Sequence, residues 1–192
     1  EHGEWKSEII FLDRNRVEVK FQKKIKQSKK LNNIQLAICL VKKNPLETIF
    51  QKATELGVNK IIPLISERTE VKDINYERAK KIVIEATEQS NQLIPPAISK
   101  VTKLKNFLES LDQSTKLLFA DINSKNNLDI KDFKEVKSLC VLIGPEGDFT
   151  PKEREIILSK TNTIPFSLSN NILRADTATI SAISLINFVL SD

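Results

Sequence analysis

Two short stretches carry most of the chemistry this chain can offer: GPEGDF at residues 144–149 and SNNILRADT at 169–177. The first places two of only four glycines, Gly144 and Gly147, within four positions. Glycines so spaced serve either a tight strand-to-helix turn or a bare backbone that must lie against a ligand. Glu146 between them is either a carboxylate available for chemistry or one tied to nearby backbone N–H groups. The second stretch sets Arg174 and Asp176 alone in a segment without other charges, from Ile164 to Ser191. In a chain with 29% charged residues, such a segment is expected in the core or at a subunit contact. Arg174 suits either a local ion pair with Asp176 or a donor preorganised toward negative charge that develops in a reaction.

Other chemistries are excluded by what is missing. The single histidine, His2, stands beside the first residue, so a Ser-His or Cys-His nucleophile and a zinc site of clustered Cys and His are both disfavoured. No G-x-x-x-x-G-K-[ST] phosphate loop occurs, and no G-x-G-x-x-G follows a strand. Cys39 and Cys140 lie in apolar runs, as buried free thiols do, and two cysteines make no secreted disulfide framework. No apolar run reaches the roughly 18 residues of a membrane span, and EHGEWKSEII has no signal-peptide pattern. A cytoplasmic protein, with neither membrane nor metal, is the expectation.

Charge is unevenly spread. The net charge is +5, and residues 1–33 hold nine Lys/Arg against five Asp/Glu. Between residues 14 and 30, Arg14, Arg16, Lys20, Lys23, Lys24, Lys26, Lys29 and Lys30 face Glu18 alone. Such a block is either a solvated linker or a surface that binds phosphates through counterion release, and charge by itself leaves both open.

The elements that must position these residues follow from periodicity. SEIIFL and RVEVKF read as a hairpin, and QKKIKQSKKLNN as a linker. IQLAICLV is a continuous apolar run suited to a strand covered on both faces. NPLETIFQKATELG predicts a helix with Pro45 in its first turn, a stripe of Leu46, Ile49, Phe50 and Ala53, and Gly57 as its stop. NKIIPLI, KLLFAD, SLCVLI and TIPFSL predict further strands; YERAKKIVIEATEQSNQ, LKNFLESL, TPKEREIILSK and ATISAISLINFVL predict helices. Thr150, Pro151 and Glu153 spell a capping box after the glycine loop. The alternation from residue 34 onward argues for an α/β domain with a mostly parallel sheet and helices on both faces. Both candidate loops would then lie beyond the carboxyl ends of strands, where such sheets bind ligands.

Four segments in order, QKATELGVNKIIPLISER, IEATEQSNQLIPPAI, LIGPEGDF and SLSNNILRADTA, make the sequence similar to the RsmE-type 16S ribosomal RNA uridine-N3 methyltransferases of the SPOUT class. The resemblance implies a SPOUT domain over residues 34–192 with a C-terminal trefoil knot, and residues 1–33 as the end and linker of a PUA-like β-barrel. It implies that S-adenosyl-L-methionine is held by Leu118, Phe119, Ala120, Ile143, Gly144, Pro145, Glu146, Gly147, Leu168, Ser169, Ile172, Leu173 and Thr177. Arg174 would act on the uracil, oriented by Asp176, and Arg14, Arg16, Lys20, Lys23, Lys24 and Arg68 would contact 16S ribosomal RNA. A homodimer is expected on residues 175–190, whose Ile180, Ile183, Leu185, Ile186, Phe188, Val189 and Leu190 occupy more than one side of the helix. The alternative is a catalytically impaired RNA-binding or cofactor-binding remnant. The chain departs from the family pattern at Asp148, where a second glycine is usual, at Ser169-Asn170-Asn171, at Asp176 in place of glutamate, and at Gln92 in place of arginine.

Overall fold

The computed structural model describes residues 3–27, 33–128, 133, 136 and 138–190. Strands β1 (Gly3–Leu12) and β2 (Val17–Gln27) form an antiparallel hairpin that, among the described residues, pairs with no other strand. Its turn is closed by Asp13, whose carboxylate accepts the N–H groups of Asn15 and Arg16 at 2.7 and 3.1 Å. Strand β2 continues through Lys23, Lys24 and Lys26, into the stretch that composition assigns to a linker. Backbone pairing holds it there, with Trp5 opposite Lys24 and Glu4 opposite Lys26. Side chains add to this: the Lys24 ammonium sits 5.6 Å from the Trp5 ring, on which Phe21 packs edge-on. Lys29 and Lys30 fall outside the described residues.

The main sheet is built on β3 (Asn33–Cys39), β4 (Lys60–Ile65), β7 (Lys116–Ala120), β8 (Ser138–Ile143) and β9 (Thr163–Phe166), in the spatial order β4-β3-β8-β7-β9. The two-residue strands β5 (Ala97–Ile98) and β6 (Thr102–Lys103), absent from the sequence expectation, pair with β4. Every described pairing in this sheet is parallel. Alternation along β3 divides the core into two layers. Ile34, Leu36 and Ile38 face α1 (Lys43–Glu55), α2 (Tyr76–Gln89) and α5 (Ala175–Leu190). Ala37 and Cys39 face α3 (Leu104–Ser110) and α4 (Pro151–Leu158). Each large aliphatic or aromatic side chain buried this way contributes about 1.5–3 kcal/mol, which fixes the strands whose ends build the site.

Helix ends follow the sequence signals. Gly57, at φ +83°, stops α1 in a left-handed conformation that disfavours side chains. Asn75 caps α2 by accepting the Arg78 N–H at 2.9 Å. Gln92, the neutral departure from the family pattern, donates to the Thr54 and Glu55 carbonyls at 2.6 and 3.2 Å and so satisfies the end of α1.

Helix α5 corrects one expectation. Ile183 and Ile186 are fully buried within this chain, in the layer that α5 shares with α1, so they are not free for a subunit contact. Asn187 also bonds the Leu56 carbonyl at 2.7 Å. The apolar groups that α5 leaves exposed are Leu185 and Phe188, the latter at 69%.

Candidate functional site

Parallel strands put all their carboxyl ends on one edge, and there four connections converge on a cleft of about 820 Å³. The turn after β3 contributes Lys42 and Lys43; the residues after β7 contribute Asp121 and Ile122. The loop after β8 supplies Gly144, Pro145, Glu146 and Asp148, and the segment after β9 runs from Ser167 to Asp176 along the remaining wall.

Of the residues expected to hold a cofactor, Ala120, Ile143, Gly144, Pro145, Glu146, Leu168, Ser169, Ile172 and Leu173 all line this cleft. Arg174 and Asp176 line it as well. Four expected residues do not. Leu118 and Phe119 are buried in the two core layers, since side chains alternate across a strand with both faces covered. Gly147 faces the opposite side of its loop, where its carbonyl accepts a hydrogen bond from Arg68 Nη1 at 2.8 Å. Thr177 turns outward on α5, its N–H donating to Asp176 Oδ1 at 2.8 Å.

That last bond corrects the pairing expected of Asp176. Its carboxylate serves the first turn of α5, where negative charge is favourable. Among the described residues, the Arg174 side chain has no hydrogen bond or ion pair with it or any other group. Nor does Glu146 tie its loop to backbone N–H groups among the described residues. That task falls to the buried Glu153. One oxygen accepts the Thr150 N–H and hydroxyl at 3.0 and 3.1 Å, completing the expected capping box. The other reaches the Glu67 N–H at 2.8 Å, fastening the segment after β4 to the start of α4.

The glycine loop has a more local explanation than ligand approach. A Cβ on Gly144 would stand 3.0 Å from the Phe149 ring, which packs edge-on against Phe119. Pro145 to Asp148 form a turn closed by Asp148 N–H to Pro145 O at 3.0 Å. Asp148 adopts φ +57°, the left-handed conformation that a second glycine would take without strain. Its side chain offsets part of the cost by accepting the Phe149 N–H at 2.8 Å.

Sequence reasoning missed Lys42, Lys43 and Asp121. The signal for the lysines was topological: once β3 and β8 are neighbours, the turns after both must share one edge. Asp121 was hidden as the last letter of a strand motif. Burial pushes the thiols of Cys39 and Cys140 up to about 12, so neither is a nucleophile at neutral pH. Among the described residues no group of His, Cys, Asp and Glu side chains is placed to hold a metal ion, and no helix is long and apolar enough to cross a membrane.

The arrangement defines an open parallel α/β ligand-binding domain, with its cleft at the carboxyl ends of the strands. The chain belongs to the RNA methyltransferase domain family, whose pattern matches residues 27–187. It is 35% identical over 190 residues to the ribosomal RNA small subunit methyltransferase E of Rickettsia conorii, covering 97% of this chain and 77% of that protein. A probable rRNA-methyltransferase from Porphyromonas gingivalis has the same architecture, at a TM-score of 0.87 and 28% identity over 97% of this chain and 80% of that one. The ribosomal RNA small subunit methyltransferase E of Neisseria gonorrhoeae, solved bound to S-adenosyl methionine, gives 0.85 at 26% identity over 96% and 78%.

Proposed function

We propose that this chain transfers a methyl group from S-adenosyl-L-methionine to N3 of a uridine in 16S ribosomal RNA of the small ribosomal subunit. The observation that carries the reading is the convergence of the post-β7, post-β8 and post-β9 segments on one cleft, with an arginine side chain, unpaired among the described residues, on its wall. The cleft's volume lies within the about 300–1,000 Å³ usual for ligand sites. Its chemistry fits the cofactor. Ile143, Pro145, Leu168 and Leu173 offer apolar contact, strand-end backbone offers donors and acceptors, and Asp176 offers a carboxylate to a cationic ligand. When bound, the cofactor supplies a methyl group activated on a sulfonium.

The chain's residues then have three tasks. The loops hold the cofactor and exclude water. Arg174 faces the cleft as a donor toward the negative charge that spreads over the uracil oxygens once N3 loses its proton. The hairpin cations Arg14, Arg16, Lys20, Lys23 and Lys24 bind RNA phosphates through counterion release, as the excess charge of this segment suits. Arg16 is partly occupied by an ion pair with Glu18.

The finer architecture belongs to the same reading. The hairpin, with Ile9, Phe11, Val19 and Phe21 exposed, is part of a PUA-like β-barrel. A C-terminal trefoil knot belongs to this reading as well. Its support is the bond from Ser167 N–H to Asn126 O at 2.8 Å, and the packing of Leu128 in the layer that α5 occupies. A homodimer forms through the exposed Leu185 and Phe188 of α5, and the protein works in the cytoplasm, where ribosomes are assembled.

The test is methyl transfer from labelled S-adenosyl-L-methionine to small ribosomal subunits lacking the modification, followed by mass spectrometry of the nucleosides. The reading expects 3-methyluridine. Cofactor binding without any methylated uridine would favour the impaired remnant instead.

A further inference from the structure

The cleft does not end at the glycine loop. Beyond Lys42, Pro145 and Glu146, which it shares, lies a second space of about 260 Å³ whose other walls include Leu40, Val41, Val71 and Arg68. We propose that this slot receives the uracil ring of the target nucleotide, with Glu146 taking the N3 proton and Lys42 donating to a flanking carbonyl oxygen. The inference rests on the methyl-transfer reading above and names the place of its substrate.

Position comes first. Methyl transfer needs the reacting atoms about 3–3.5 Å apart, so the base must occupy a space that shares a wall with the cofactor cleft. The larger cavity between α1 and α2 shares only Lys43 with the cleft, and its Glu47 and Arg78 are already paired at 2.9 Å. The smaller slot shares three residues, one of them the loop carboxylate.

Shape and chemistry agree with this. Enzymes that act on a base take it out of the stack into a snug pocket with apolar faces and a polar edge. Leu40, Val41, Val71 and Pro145 supply apolar faces. The reacting edge of uracil presents one donor, N3–H, flanked by two carbonyl acceptors; its complement is an acceptor flanked by donors. Glu146 is such an acceptor, Lys42 stands with it on the shared wall, and Arg174 lines the adjoining cleft. Among the described residues, none of these three side chains has a hydrogen bond or ion pair of its own. Arg154 is committed to Asp121, and Glu153 to Thr150 and Glu67; the exposed Glu70 also lines the slot but, unlike Glu146, does not line the cofactor cleft. Arg68, by donating to the Gly147 carbonyl, holds the glycine loop against the slot.

The step balances without a further reactant. The N3–H bond breaks and its proton passes to the Glu146 carboxylate, and from there to water. The nitrogen's electron pair forms the N–CH3 bond, while the C–S pair remains on sulfur as a neutral thioether. Cytosine has no N3 proton and carries an amino donor where uracil has an oxygen, so it would set a donor against Lys42 or Arg174.

Two measurements test the slot. The first is saturation-transfer NMR of uridine 5′-monophosphate on the chain saturated with S-adenosylhomocysteine. Wild type is expected to show transfer to the uracil protons and little to cytidine 5′-monophosphate. Val71→Asp, which touches the slot and not the cofactor cleft, should abolish it, with calorimetric cofactor affinity unchanged. Equal signals for the two nucleotides, no uridine signal in wild type, or an undiminished signal in the variant would each overturn the proposal. The second is the pH profile of methyl transfer by Glu146→Gln. A lost proton acceptor should lower kcat about 100-fold at neutral pH, with the deficit closing as pH rises toward the range in which uracil N3 ionises unaided. A deficit independent of pH, or no deficit, would remove Glu146 from the reaction. Failure of wild type to bind the cofactor at all would instead sink the underlying reading.

Discussion

Arg154 on α4 donates from Nε at 3.0 Å and from Nη2 at 2.7 Å to one carboxylate oxygen of Asp121, at the end of β7. Asp121 is 3% exposed and its polar groups are all engaged. Its second oxygen accepts the Asn123 N–H at 3.0 Å, its N–H reaches Phe166 O at 3.0 Å, and its carbonyl accepts from Ser124. One residue thereby joins the segments after β7 and β9 to the helix that follows the glycine loop.

Arg154→Leu should leave the Asp121 carboxylate buried without its cation and cost about 1–3 kcal/mol of stability. Because three walls of the cleft meet there, cofactor affinity should fall about tenfold even well below the melting temperature. Denaturant melts beside calorimetry check both; a stability loss with unchanged affinity would confine the pair to a structural role.

Gly144→Val should destabilise the fold, because the first added carbon already stands 3.0 Å from the Phe149 ring. The overpacking cost is about 1–3 kcal/mol. Shortening the ring by Phe149→Leu in the same chain should recover part of it in urea unfolding. No recovery would mean that the glycine is needed for another reason.

At Asp148 the backbone, at φ +57°, favours glycine. Asp148→Gly should leave stability within about 1 kcal/mol or raise it, whereas Asp148→Val should cost about 1–2 kcal/mol. Thermal unfolding separates the two, and a Val variant as stable as wild type would refute the strain.

Two positions on α5 should behave differently. Ile186→Glu places a charge in the core and should yield unfolded or insoluble chain. Phe188→Glu, at an exposed position, should yield a folded monomer from a dimeric wild type. Light scattering on wild type and on Phe188→Glu decides it, and a monomeric wild type would remove the dimer.

The strands other than β5 and β6, the helices from residue 43 onward and the capping box at Thr150 were legible because each rests on local periodicity or on a fixed offset such as Thr150 to Glu153. The cleft residues of the GPEGDF and SLSNNILR loops were legible because both follow strands of a parallel sheet. What stayed hidden depends on neighbours distant in sequence. Ile186 could not be told from a contact residue without knowing that α1 covers it. The tether from Arg68 to Gly147 spans 79 positions, and Asp121 to Arg154 spans 33. The reach of β2 to Gln27 was missed because backbone pairing, not apolar alternation, holds its lysines in the strand.

Calorimetric titration with S-adenosyl-L-methionine tests most directly whether the cleft beyond β3, β7, β8 and β9 is the cofactor site. One binding event per chain is expected in wild type. Arg174→Ala should retain most of this affinity if that side chain serves the base, as proposed, and Leu173→Asp, which sets a carboxylate against the cleft's apolar wall, should lose at least tenfold while remaining folded. A folded wild type that takes up no cofactor, or a Leu173→Asp variant that binds as well as wild type, would contradict the account.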